Sequence, residues 1–138
     1  MSFDLYIQSF ENGEPAGMSR QAVRNAFRGA LSELERDYWQ LTYGPGESCE
    51  LMLSPLEHLG EHIHNITVSR PCSNNLLWQG LAELLAIGNT VLYFPGCRGP
   101  LLLNRAVAGH LPQDMLAALG LPIVVGSGAD IAHQVSAA

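Results

Sequence analysis

The chain contains no lysine. All seven of its basic residues are arginine, which excludes Schiff-base chemistry, a pyridoxal phosphate anchor and the lysine of a phosphate-binding loop. Cysteine is informative by its scarcity: Cys49, Cys72 and Cys97 are odd in number, widely spaced and form no C-x-x-C pair. Neither a disulfide framework nor a zinc ribbon is expected, and the three read as reduced thiols. Charged residues make up only 14% of the chain, and no apolar run approaches the ~20 residues needed to cross a bilayer. The opening Met1-Ser2-Phe3-Asp4 lacks the cationic start and apolar run of a secretory signal, so the expected compartment is the cytoplasm.

What is present describes an ordinary core. With 138 residues, 47% of them hydrophobic, the chain is read as a single globular domain over 1–138 that folds without disulfide or metal, and no cofactor is expected. Its charge is unevenly placed. Residues 33–61 hold Glu33, Glu35, Asp37, Glu47, Glu50, Glu57 and Glu61 against Arg36 alone. The whole net charge of −6 therefore sits in that segment, and elsewhere acids and arginines balance. No large positive field exists to hold phosphates, which argues against nucleic acid or an anionic membrane as partner. The natural complement is a cationic protein; the alternative is an acidic face that serves solubility alone.

Period-two alternation at Phe3, Leu5 and Ile7 predicts an opening strand. Ser19 stands as a helix cap before Ala22, Val23, Ala26, Phe27, Ala30 and Leu31 at helical spacing. The opposite flank carries Arg20, Arg24 and Arg28, which either grip an acidic partner or form the solvated side of an amphipathic helix, the plainer reading. Trp39, Leu41 and Tyr43, then Cys49, Leu51 and Leu53, alternate about a Gly-Pro-Gly turn and predict a hairpin. Residues 63–68 follow as a third strand of the same meander. A second helix runs from a cap at Ser73 through Leu77, Leu81 and Leu84 to Gly88, and residues 90–94 form a strand buried on both faces. A short strand at 101–103, a helix over 113–119, a strand at 123–125 and a helix over 129–135 complete the chain. The order β-α-β-β-β-α-β-α-β-α predicts an α+β domain: a mixed, mostly antiparallel sheet of about five strands with helices packed on it.

Three constellations invite chemistry. His58, His62 and His64, interleaved with Glu57 and Glu61, are candidate ligands for zinc or nickel, since two imidazoles two apart on a strand share a face. Their spacing matches no common zinc module. The loop Pro95-Gly96-Cys97-Arg98-Gly99-Pro100 is a candidate anion nest, though two flanking prolines also make a rigid turn. Cys97 beside Arg98, with His110 and Asp114 later, supplies a nominal thiol, base and carboxylate whose spacing is not diagnostic. Gly126-Ser127-Gly128 lacks the frame of a nucleophile elbow and reads as a helix cap.

Three stretches together carry a likeness: Ser2-Phe3-Asp4-Leu5-Tyr6, the Arg70-Pro71-Cys72 leading to Leu77-Trp78, and the run from Gly88-Asn89-Thr90 through Tyr93-Phe94-Pro95-Gly96. Their arrangement resembles small uncharacterised bacterial proteins of about this length, which implies no activity and no catalytic residues. By size and charge the chain is also similar, at the level of class, to the immunity proteins of bacterial toxin systems. That likeness implies a protein that occludes a cationic toxin. The leading expectation is thus a non-enzymatic binding protein whose acidic face includes Glu47, Glu50, Glu57 and Glu61, with Tyr43 at the rim. A small metal-binding protein or metalloenzyme using His58, His62 and His64 is the rival, and a structural homodimer paired through sheet edges the third possibility.

Overall fold

The computed structural model describes residues 3–56 and 61–137. The opening alternation forms β1 (Leu5–Glu11), which turns back through Asn12 and Gly13 into β2 (Glu14–Ala16) and β3 (Met18–Ser19). Ser19 Oγ accepts from the Ala22 N–H and caps α1 (Arg20–Ala26). A meander follows: β4 (Leu31–Glu35), β5 (Tyr38–Gly44), β6 (Glu47–Pro55) and β7 (His62–Ser69). Then come α2 (Asn75–Leu85), β8 (Thr90–Tyr93), β9 (Leu101–Leu102), a 3₁₀ helix (Arg105–His110), α3 (Gln113–Leu119), β10 (Ile123–Val124) and α4 (Gly128–Ser136). One sheet runs in the order β10-β9-β8-β1-β7-β6-β5-β4, with β2 on β1 and β3 on β7. Every pairing is antiparallel except β9 with β10.

The α+β class with a mostly antiparallel sheet is as expected, but among the described residues the sheet has ten strands, not about five. Two of the added strands, β2 and β3, are short and lie in and just after the breaker-rich stretch, where pairing with β1 and β7 decides the conformation. The third, β4, replaces the last turn of the expected first helix. That helix stops at Ala26 because Phe27 closes it onto the Arg24 carbonyl and Gly29 takes φ 91, a left-handed conformation. The Ala30 carbonyl then accepts from Thr42 at 2.9 Å, and Leu31 enters the sheet opposite Leu41. The fourth, β9, is the short strand expected at 101–103, which the expected element order does not count. The second helix is capped by Asn74, whose Oδ1 accepts from Leu76, one residue later than expected.

Alternation sends one set of side chains from every long strand to the same face. Leu5, Ile7, Trp39, Leu41, Leu51 and Ile66, all fully buried, meet Val23, Phe27, Leu77, Leu81, Leu84 and Ile131 from α1, α2 and α4. On the opposite face a smaller core gathers Phe10, Val91, Leu102, Val107 and Leu111 under the 3₁₀ helix and α3. α2 contributes mainly leucine with Trp78, α4 contributes Ile131, and α1 contributes Val23 with Phe27 at its end; burial of this apolar surface stabilises the layers by roughly 25 cal/mol per Å².

The arginine flank of α1 is solvated only in part: Arg28 is 73% exposed and Arg24 34%, but Arg20 is buried. Arg20 is 1% exposed, and its guanidinium donates to the Arg36 carbonyl at 2.7 Å and to Asp37 Oδ1 at 2.5 Å. Its backbone N–H donates to the Glu61 carbonyl, and the Asp37 carbonyl accepts from Leu53. One buried cation thereby joins α1, the β4–β5 turn, β6 and the approach to β7. Arg24 chelates Glu33 through Nε and Nη2 at 2.8 and 3.2 Å while lying over the Trp39 ring at 5.5 Å.

Asp37→Asn retains the shape but strips the charge that compensates a buried guanidinium, and is expected to cost about 2 kcal/mol of stability. Arg20→Met is expected to cost less, since Asp37 is 45% exposed and returns to water. A urea-denaturation cycle of the two single variants and the double variant checks this: non-additivity is expected, and strict additivity would refute the clamp.

Candidate functional site

The seven acids of residues 33–61 do not form one free face. Glu33 and Asp37 are engaged by Arg24 and Arg20, and Glu61 Oε1 accepts from Arg36 at 3.0 Å. The Arg36 hydrogen bond holds the Glu61 carboxyl below its usual range, and the Glu33 hydrogen bond raises Arg24. Glu47, at the hairpin end, accepts from Asn74 Nδ2 at 2.8 Å. Glu57 and His58 lie outside the described residues. Glu35 and Glu50 make no salt bridge among the described residues.

Tyr43 points the other way from Glu50. It extends the inward row of Trp39 and Leu41, packs against the main core, and its hydroxyl is buried without a hydrogen-bond partner among the described residues. Burial, then the neighbouring Cys49 and Cys72 thiols, push the phenol strongly upward. Tyr43 also lines a cleft of about 330 Å³ with Phe27, Leu76, Gln79, Gly80 and Glu83. Arg28 and Glu83, both on this cleft, approach to 4.0 Å.

Of the three candidate histidines, His62 and His64 lie in β7, and His58 lies outside the described residues. The β6–β7 register steps from Ser54↔Asn65 to Pro55↔Ile63, a bulge at His64. His64 Nδ1 lies 3.1 and 3.2 Å from the Ser9 and Ala16 carbonyls, which fixes its proton on that nitrogen, and its ring meets Phe10 edge-on. His62 is exposed and pairs through its backbone with Ser19. Among the described residues no three histidine, cysteine or acidic side chains converge as metal ligands do.

The other constellations have local explanations. His110 Nδ1 accepts from the Asn12 N–H at 3.1 Å, on the β1–β2 turn, while Cys97 packs against the main core. Asp114 is exposed in the first turn of α3. In the loop at 95–100, a Cβ on Gly99 would sit 1.9 Å from the Leu121 carbonyl oxygen, so this glycine permits backbone to pack on backbone. Ser127 caps α4 through the Asp130 N–H.

The surface that sequence reading missed is the outward face of the meander. Registers align Tyr93, Tyr6, Thr67, Met52 and Tyr38 in a row across β8, β1, β7, β6 and β5. The Tyr6 and Tyr93 rings stack at 5.4 Å, and Met52 is 40% exposed. A parallel row runs Ser69, Glu50, Gln40 and Ser32. All these positions are half-buried or exposed, and no described helix covers them. The strand alternation identified the polar half of this face, but the aromatic row needs the strand order.

No protein-family model, no curated protein and no solved structure matches the chain. No helix among the described residues is long and apolar enough to cross a membrane.

A lowered folded-state pKa stabilises the charged form. Glu61 therefore contributes stability fully above its unfolded value near 4.5, and the contribution fades as pH falls through the folded value. Carboxyl NMR titration is expected to place Glu61 below 4.5 and to return it toward that value in Arg36→Gln. An unmoved titration would break the assignment of Arg36 as its partner.

Proposed function

We propose that this chain is a non-enzymatic protein-binding module that receives a cationic protein partner on the open face of its sheet. The uncovered row of Tyr93, Tyr6, Thr67, Met52 and Tyr38 carries the reading. Tyrosine and methionine supply large, desolvatable contact area, and depletion of charge at the centre with polar groups at the margin is how protein interfaces are built. Glu50 lies two residues from Met52 along β6, in the next row, and Glu35 stands opposite Tyr38 at the sheet margin. These two carboxylates give the face its sign. Of the acids expected to bind, Glu50 lies on this face, Glu47 and Glu61 act at its periphery through Asn74 and Arg36, and Glu57 lies outside the described residues. A toxin held by an immunity protein is a partner of this kind, and the class-level likeness of size and charge supports that form of the reading.

The test uses basic proteins encoded beside this chain as titrants of the isotope-labelled protein. Amide shifts are expected at Tyr6, Thr67, Met52 and Glu50. Tyr6→Ala with Met52→Ala should weaken binding at least tenfold, and Glu35→Lys with Glu50→Lys should slow association in a salt-dependent way. Shifts confined to the helical face, or an association rate indifferent to both charge reversals, would overturn it. Dimerisation of the free chain through this face, read by sedimentation, would make a second copy the occupant and overturn the reading.

A further inference from the structure

The segment joining β7 to α2 folds back along the start of β6. β7 ends at Ser69, opposite Glu50, and Arg70 then takes φ 50 before Pro71. This reverses the chain onto the inward face. Asn74 Nδ2 reaches Glu47 Oε2 at 2.8 Å. Two residues inward from each, the Cys49 sulfur meets the thiol and the backbone of Cys72. The 47–74 and 49–72 contacts both join the start of β6 to the lead-in of α2. Cys49 is buried in the main core, and Cys72 is half-buried against it.

We infer that Cys49 and Cys72 form a modification site, a dithiol that a low-molecular-weight disulfide such as oxidised glutathione converts to an intramolecular disulfide. Cys72, the more exposed thiol, loses its proton, and its sulfur attacks one sulfur of the small disulfide. That S–S bond breaks, one small thiolate leaves and is protonated, and Cys72 carries the mixed disulfide. Cys49 then loses its proton and attacks the Cys72 sulfur, expelling the second small thiolate. The two protein thiols together give up two electrons and two protons, and the small disulfide becomes two thiols. Burial, then the neighbouring Cys72, push the Cys49 thiol up to about 12, which makes its attack the slow step. The product closes the loop 49–72 and ties the lead-in of α2 to the hairpin beside Tyr43. This goes beyond the binding role, which lies on the other face of the sheet.

The test incubates the native full chain with oxidised glutathione, then denatures it in an alkylating reagent for mass analysis. A monomer lighter by two hydrogens is expected, with one alkylated cysteine, Cys97. Cys49→Ser should stop at a mixed disulfide on Cys72, Cys72→Ser should form no internal disulfide, and Cys97→Ser should react as the parent does. Should Cys49→Ser fail to fold, Cys72→Ser, altered at the more exposed position, carries the comparison. Three alkylated cysteines, a mixed disulfide that persists in the parent, or a bond through Cys97 would each overturn the inference.

Discussion

A guanidinium cannot be dehydrated without compensation, and Arg20 is almost completely dehydrated. Its planar fork reaches the Arg36 carbonyl and the Asp37 carboxylate, both in the β4–β5 turn. That requirement sets the height of α1 against the sheet. It also places Asp37 where its carbonyl receives the Leu53 N–H, and the Arg20 N–H where it meets Glu61. Trp39, fully buried in the same layer, packs under Arg24, whose charge is in turn neutralised by Glu33. Three arginines thus bind three acids of the segment that carries the net charge. What the segment offers to a partner is decided by the acids these contacts leave over.

Local periodicity made β1, the β5–β6 hairpin, β7, α2, β8 and α4 legible, because each has one buried face and its apolar residues recur at the period of the element. The failures share a different cause. Ala30 and Leu31 continue the helical spacing of Ala22, Val23, Ala26 and Phe27, and only Gly29 marks that the chain has already left the helix. β4 has little alternation to reveal it: Leu31 faces the core, Glu33 faces Arg24, and a register shift follows at once. The i, i+4 spacing of Arg20, Arg24 and Arg28 is equally consistent with water on one side, since nothing local records that Asp37 arrives from 17 residues away. The bulge at His64 went unread for the same reason: a strand was recognised, but its register was not.

The candidate site divides along the same line. Alternation along β5 and β6 separates Gln40, Thr42 and Glu50 from Trp39, Leu41 and Cys49, so the polar side of the meander was readable. Tyr43 belongs by that alternation to the inward set, and the structure keeps it there, which removes it from the acidic rim on which it was expected. The row Tyr93, Tyr6, Thr67, Met52 and Tyr38 draws on five strands, and it exists only because β1 inserts between β8 and β7. A non-local strand order of this kind leaves no mark on a single sequence.

The uncovered face follows from connectivity. Covering a sheet takes chain that leaves it, and from β4 through β6 the strands join by turns too tight to send a helix across either side. The inner face is covered by α1 before the meander and by α2 and α4 after it. On the outer face, the 3₁₀ helix and α3 follow β9 and shelter only the end near β1, β8 and β9. The remaining area is filled with tyrosine, threonine, glutamine and methionine, which satisfy a pleated surface in water and still yield apolar contact when dehydrated. The adjacent edge is less receptive to a second strand. β4 carries a register shift and two glutamates in five residues, so another copy aligned along it would bring like charges into register. The proposed binding role accordingly uses the face of the sheet and not this edge, with Glu35 and Glu50 as the carboxylates that would meet a positive partner.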